Sequence, residues 1–419
     1  MKSQGRNRKE RFLTVKIERI VPDGYGIGFA DGLTVFAPLT AAGDLIKARI
    51  DRQKGAVAFA SIIEILEPSA DRIVPPCPYF GRCGGCDFQQ MNYDAQLRTK
   101  SEIIKDALRR IGKIDWTENI EILPSPFEWN YRTRVNWKRD KTHLGYFERN
   151  SHRVIDVTEC PILAPLLQHE LSRQRENLTK TNSAEIQAVA SETEISRRTG
   201  RQNEVFDENF YAANHQAAEL ESEISADGGK AKAICLTVGD FDYDFSAATF
   251  FQVNHGLLAA FVETAVGNLN GSFAIDLYCG VGLFALPLAK RFGAVQGIEG
   301  NPDSIELAQK NGRRAGLTNV EFETAMVGEW LANNAATLPQ LDFVLLDPPR
   351  TGAERETIAN LLRLQPQQIV YVSCNPATLA RDLRLLLENG TYKIEKITAF
   401  DFFPQTHHVE TIVHLRNSG

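Results

Sequence analysis

The sequence predicts an α/β protein: a helix-covered, mostly parallel sheet in the C-terminal half, after a small all-β unit and a β-rich middle. Three observations predict it. From Asp244 onward, short apolar runs alternate with helix-length segments, as in an open sheet buried on both faces. In that half, Asp276-Leu-Tyr-Cys-Gly-Val-Gly282 follows a strand and opens a helix, and Glu299 ends the next strand ~20 residues on, the spacing of a nucleotide site. From Phe12 to Glu67, about five short apolar runs are separated by turn-rich pieces such as Pro22-Asp-Gly-Tyr-Gly-Ile-Gly28, which suits a small barrel.

A chain of 419 residues has room for two or three domains, and the changes in pattern set them at 1–68, 69–243 and 244–419. The net charge of −6 gives no pointer to nucleic acid, but the distribution does. Lys2, Arg6, Arg8, Lys9, Arg11, Lys16 and Arg19 crowd the opening segment. Arg132, Arg134, Lys138, Arg139, Lys141, Arg149 and Arg153 are interleaved with Tyr131, Trp137, Tyr146 and Phe147, as on a surface for phosphates and bases. Either run alone is more often a solvated face. No apolar run is long enough to span a membrane, and the basic N-terminus lacks the apolar stretch of a signal peptide, so the chain is expected in the cytoplasm. Seven cysteines there argue against a disulfide framework.

The runs Phe12 to Ile20, Val35 to Pro38, Leu45 to Ile50 and Ala56 to Ile65 read as strands of an OB-like barrel, and the stretch resembles a TRAM domain, an RNA-binding barrel. Next come Cys77-Pro-Tyr-Phe-Gly-Arg-Cys83-Gly-Gly-Cys86, a helix from Tyr93 to Ile111, and a β-rich region from Ile120 to Cys160. Gln168 to Lys232 is polar and reads as partly helical and loosely packed. Strands then follow at Ala274 to Leu277, Ala294 to Ile298, Val320 to Thr324, Phe343 to Leu346 and Ile369 to Val372. Lys393 to Phe403 and Val409 to Leu415 close the chain as an antiparallel hairpin at the sheet edge, which separates the methyltransferase version of this fold from the nicotinamide-binding one.

Cys374 stands between the strand Ile369 to Val372 and a helix that Asn375 caps and Pro376 begins. Position alone suits a buried structural cysteine. The helix N-terminus instead favours a thiolate. Asp347-Pro-Pro-Arg350 stiffens the chain at the carboxyl edge of the sheet, where ligands bind. Amino-methylating enzymes carry an aromatic residue where Arg350 stands, which argues against that chemistry.

Phe250-Phe-Gln-Val-Asn254, Asp276 to Gly282, Glu299-Gly-Asn301, Asp347 to Arg350, Ser373-Cys-Asn-Pro376 and Phe403-Pro-Gln-Thr-His-His-Val-Glu410 come in the order of the RNA uracil-C5 methyltransferases, which the chain resembles. The resemblance implies a Rossmann-like class I methyltransferase domain with an N-terminal OB-like β-barrel (TRAM) and a β-rich central domain. It implies S-adenosyl-L-methionine as cofactor, bound by Gln252, Tyr278, Glu299 and Asp347, with Cys374 as nucleophile and Glu410 as base. The barrel and the cysteines Cys77, Cys83, Cys86 and Cys160 point to the iron–sulfur branch acting on bacterial 23S rRNA. Those four thiolates suit a [4Fe–4S] cluster, with structural zinc as the alternative. The expected partner is RNA, not DNA or membrane, and the expected state is a monomer. Members often carry Asn where this chain has Leu283, so a polar contact to the cofactor's methionine end is absent or comes from elsewhere.

Uracil C5 needs activation: a thiolate adding at C6 makes C5 an enolate carbon, and a base must later remove the C5 proton. His407 and His408 compete with Glu410 for that task. Phe251 and Phe403 are core residues first and base-stacking partners second. The alternatives are the same chemistry on the T-loop uridine of tRNA, or an RNA-binding assembly factor without catalysis.

Overall fold

The computed structural model describes residues 10–178, 185–200 and 231–419; Lys2, Arg6, Arg8 and Lys9 lie outside them. Strands β1 (Phe12–Ile20), β2 (Gly26–Ala30), β3 (Leu33–Ala37), β4 (Leu45–Lys54) and β5 (Val57–Glu67) close into a barrel in the order β1-β2-β3-β5-β4. Alternate residues of β1, Leu13, Val15 and Ile17, fill it. The turn-rich piece holds β2 itself, because Gly26 and Gly28 let this strand lie close against β1 and Thr40.

Helix α1 (Tyr93–Ala107) starts where the Asn92 side chain accepts the Ala95 N–H at 2.9 Å. The predicted helix ran to Ile111; the chain instead widens into a single looser turn at Leu108–Gly112 and ends on left-handed Lys113. After β6 (Glu121–Leu123), strands β7 (Arg134–Arg139), β8 (Leu144–Phe147) and β9 (Val154–Asp156) precede helix α2 (Pro165–Glu176). Of the segment expected to be partly helical and loosely packed, Gln168 to Glu176 is helical, within α2, and residues 179–184 and 201–230 lie outside the described residues. Residues 185–200 correct the expectation: they form β10 (Glu185–Ala190) and β11 (Ile195–Gly200), which complete a sheet in the order β11-β10-β7-β8-β9. Small residues hid the strand: Ala188 and Ala190 pack with Ile186 against Trp137 and Val135 without large apolar side chains.

A hairpin of β12 (Ile234–Val238) and β13 (Phe241–Phe245) and helix α3 (His255–Val266) lead into the largest sheet. Its strands are β14 (Gly271–Leu277), β15 (Phe292–Glu299), β16 (Val320–Thr324), β17 (Phe343–Leu346), β18 (Gln368–Ser373), β19 (Tyr392–Phe400) and β20 (Glu410–Asn417). Helices α4 (Ala285–Ala289), α5 (Pro302–Arg314), α6 (Val327–Asn334), α7 (Arg355–Leu364) and α8 (Pro376–Leu387) connect them. The order is β16-β15-β14-β17-β18-β20-β19-β6. Consecutive residues serve opposite cores: Phe343 and Leu345 pack on one face, Val344 and Leu346 on the other.

The terminal hairpin is not at the edge. β20 inserts antiparallel between β18 and β19, and β6, from the N-terminal half, adds in parallel beyond β19. The first residue of β20 is thereby set beside the end of β18.

Candidate active site

The carboxyl ends of β14, β15, β17 and β18 and the start of β20 surround one cleft of about 1040 Å³. Gln252, Tyr278, Glu299, Asp347, Cys374 and Glu410 all line it. Six residues from distant parts of the sequence therefore meet at one site.

In one half of the cleft, Tyr278 and Gly280 take left-handed backbone, with φ of 63° and 52°. For Tyr278 that is strain, which surroundings must hold in place. Gly282 also needs its freedom: φ is 92°, and a Cβ would meet Leu286 at 2.8 Å. A Cβ on Gly280 would touch nothing within 4 Å, so its backbone is open to a ligand. Glu299 accepts the N–H groups of Gly280 at 3.2 Å and Asn301 at 2.7 Å, so its carboxylate is held in place at the sheet edge. Gln252 is buried; its amide donates to Asp347 at 3.5 Å and its oxygen has no hydrogen-bond partner among the described residues. Arg134 reaches across from β7 to the carbonyls of Ser246 (3.4 Å), Ala247 (2.8 Å) and Thr249, and so pins the loop that carries Gln252. These are features that suit a cofactor with a ribose and a charged methionine end.

In the other half, Asn375 caps α8 by accepting the Ala377 N–H at 3.0 Å. Asn375 Nδ2 and Thr378 Oγ1 both donate to the Arg350 carbonyl at 3.2 Å, which staples the Asp-Pro-Pro-Arg loop beside Cys374. Cys374 opens on the cleft, but the expectation of a ready thiolate is corrected. Burial, reinforced by Glu410 and Asp347, drives the thiol well above its usual pKa, while Arg350 opposes through its charge and a hydrogen bond. Glu410 is almost wholly buried, and one of its oxygens has no hydrogen-bond partner among the described residues. Burial and the nearby Asp347 raise it far above the usual carboxylate range, against Arg350. Asp347 is likewise pushed up to about 7 by burial and by Glu299, against its bond from Gln252. Cys374, Glu410 and Asp347 thus all favour their protons, and Arg350 is the cation that opposes this at Cys374 and Glu410.

His407 is paired with Asp87 at 2.5 Å, whereas His408 faces the cleft, held neutral by burial and by His407, Arg350, Lys100 and Arg132. Phe251 and Phe403 are both buried in the core and offer no face to a base. Sequence reasoning missed two residues. Arg350 was noted only as the replacement of an aromatic, yet it touches the thiol. Asp276, fully buried with neither carboxyl oxygen paired to a side chain among the described residues, lies near the end of β14, where Asp347 and Glu299 add to the effect of burial in raising its pKa. A carboxylate closing a buried strand was the signal available. Leu283 points into the core, and its carbonyl accepts the Tyr243 hydroxyl at 3.0 Å.

The cleft runs on over β7 and β8, past Arg132, Lys138, Tyr146, Phe147, Arg149 and exposed Phe250. Arg132 lies over the Tyr146 ring at 6.0 Å and Lys138 over Phe147 at 5.4 Å. Behind it, Cys77, Cys83, Cys86 and Cys160 line one small cavity with Tyr146, Arg132 and Ile162. Burial pushes the Cys160 thiol up to about 12. Among the described residues, no three His, Cys, Asp or Glu side chains converge as ligands of a single ion.

Residues 232–418 match the model of the tRNA (Uracil-5-)-methyltransferase family. An uncharacterised RNA methyltransferase of Aquifex aeolicus is 32% identical over 97% of this chain and 99% of its own length. The tRNA (uracil(54)-C(5))-methyltransferase of Schizosaccharomyces pombe is 32% identical over 97% of this chain and 79% of its own. Among solved structures, the Pyrococcus abyssi tRNA (uracil-54, C5)-methyltransferase, in complex with S-adenosyl-L-homocysteine, superposes with a TM-score of 0.70 at 27% identity, covering 96% of this chain and all of that one.

Proposed function

The chain belongs to the RNA uracil-C5 methyltransferases, and from that premise we propose that its cleft methylates C5 of a uridine in structured RNA through a transient bond from Cys374 to C6. The observation that carries the reading is the meeting of Cys374, Arg350, Asp347 and Glu410 at one end of a cleft whose other end holds Gly280 and Glu299. S-adenosyl-L-methionine, when bound, supplies the methyl group as a sulfonium. Glu299 would accept its ribose hydroxyls, and Gln252 and Asp347 would hold its cationic end.

Arg350 stabilises the Cys374 thiolate as it adds to C6 and again as it leaves. Glu410 takes the C5 proton, for which it must be ionised; Arg350 beside it favours that state. Burial and its cationic neighbours lower the proton affinity of His408, whereas that of Glu410 is raised, which makes the ionised Glu410 carboxylate the stronger base. The target base leaves its stack to reach these groups. The basic and aromatic wall over β7 and β8 suits the flanking strand.

Cys77, Cys83, Cys86 and Cys160 would hold the [4Fe–4S] cluster. Four thiols lining one cavity offer a four-thiolate donor set, which suits such a cluster, with a structural zinc as the alternative. Its contribution would be a cross-link between the cysteine loop and the strand-rich middle, since methyl transfer needs no redox step.

As substrate, the T-loop uridine of tRNA comes first and a 23S rRNA uridine second. The barrel and cysteine region had favoured rRNA, but the tRNA-modifying relatives align over nearly the whole chain, barrel included, so these features do not discriminate. Mapping 5-methyluridine in both RNAs with and without the gene tests this choice. The chemistry is tested by Cys374→Ala, which should abolish methylation and leave S-adenosyl-L-homocysteine binding intact, and by Glu410→Gln, which should trap a covalent protein–RNA adduct. Normal turnover by Glu410→Gln would end the assignment of the base.

A further inference from the structure

The turn that leads into Glu410 is built from the far end of the chain. Gln405 has left-handed backbone, with φ of 70°, although it is not glycine. Such strain persists only where neighbours over-determine it. Here they come from residues 86–131. The N–H groups of Asp87 and Phe88 donate to the Gln405 carbonyl at 3.1 and 3.0 Å. The Gln405 N–H donates to Gln96 Oε1 at 2.8 Å, and Gln96 Nε2 returns a bond to Gln405 Oε1 at 3.0 Å. The Tyr131 hydroxyl donates to the Pro404 carbonyl at 2.6 Å. Asp87 accepts the His407 N–H at 2.9 Å and holds His407 Nδ1 at 2.5 Å. Gly24, in the barrel, closes on this pair: a Cβ there would lie 3.0 Å from Asp87 Oδ2 and 3.2 Å from the His407 Cβ.

We propose that Asp87, with Gln96, is a positioning residue for the last chemical step: the strap it forms on residues 404–407 sets where the Glu410 carboxylate and the His408 ring stand in the cleft. This rests on Glu410 being the base. In that step the C5 proton passes to the Glu410 carboxylate, the C–H electron pair forms the C5–C6 double bond, and the Cys374 Sγ–C6 bond breaks to return the thiolate. Addition and methyl transfer depend on Cys374, Arg350 and the β14–β15 loop, and the strap bonds named above run to none of these. A displaced Glu410 therefore slows release and spares the earlier steps. Asp87 also adjoins Cys86, whose carbonyl accepts from Arg149 at 2.9 Å, so the bonds that hold the catalytic turn start directly at the cysteine loop.

The test uses the full chain and a T-loop transcript, or a 23S rRNA fragment if mapping selects that RNA, carrying tritium at uridine C5. Covalent adduct, tritium release and S-adenosyl-L-homocysteine binding are measured for the wild type, Asp87→Ala, Asp87→Asn, Gln96→Ala and Glu410→Gln. Asp87→Ala should keep homocysteine-product binding and adduct formation while slowing tritium release, on the order of 10²-fold for a carboxylate misplaced by an ångström. Asp87→Asn, whose amide oxygen still accepts the His407 N–H, should recover part of that loss. Gln96→Ala, remote from the cysteines, should slow release in the same sense. Equal losses of adduct formation and release in Asp87→Ala and Gln96→Ala, or none, would overturn the strap while leaving the catalytic reading in place. A wild type without a Cys374-dependent adduct, or Glu410→Gln with normal tritium release, would overturn both.

Discussion

Arg350 is the group that makes a buried thiol usable. Cys374 is raised by burial and by two neighbouring acids, and Arg350 alone among its named neighbours opposes them. Arg350→Met should slow adduct formation on the order of 10²-fold, the usual cost of losing one preorganised charge partner, with homocysteine-product binding retained. Single-turnover adduct kinetics check this. Asp347 makes a second prediction. Its folded pKa of about 7 lies above the unfolded value near 3.9, so it binds its proton more tightly when folded. The stability this contributes is full below the unfolded value and is lost as pH rises through about 7. The ligand-free protein should therefore melt at lower temperature as pH rises from about 5 to 8, and Asp347→Asn should flatten that slope. At this scale the sequence was most legible for residues inside motifs. The charge state of Cys374 was not, because it depends on Glu410 and Asp347, which are neighbours only after folding.

At the scale of elements, β20 decides the site. Its insertion between β18 and β19 brings Glu410 to the edge where β18 delivers Cys374. The hairpin was readable from two apolar runs around a turn, but its place in the sheet was not, since strand order depends on which edges remain unpaired. β6 shows the same limit: three residues, Glu121–Leu123, carry too little pattern to announce a strand of a sheet formed mostly after residue 270. Helix α1 is tied to this edge by Lys100, fully buried, whose ammonium bonds Asp401 at 2.5 Å and the Phe403 carbonyl at 3.0 Å. Removing one partner of such a pair strands the other charge. Lys100→Met should destabilise the protein by about 3–5 kcal/mol in urea unfolding, and adding Asp401→Leu should recover much of that loss.

Across the whole molecule, the N-terminal half is less an appendage than a frame. The barrel turn at Gly24, the cysteine loop at Asp87, α1 through Gln96 and Lys100, and β6 all contact the segment from Thr398 to His407. None of these long-range ties could be read in advance, because Asp87 and His407 are separated by most of the chain and neither sits in a periodic pattern. The cysteines were legible as a set, but their common cavity was not, since Cys160 follows β9 and reaches the others only once β8 and β9 have paired. That cavity yields a last prediction. Protein purified without oxygen should carry about four irons per chain and absorb visible light. Cys160→Ser should lose the iron and melt earlier, because a bound group that cross-links the loop to the β7–β9 sheet stabilises only the folded chain. Cys374→Ser, which leaves the four ligands untouched, should keep both iron and melting temperature. Stoichiometric zinc with no colour would replace the cluster by a single ion, and the four thiols would then have to close on one point.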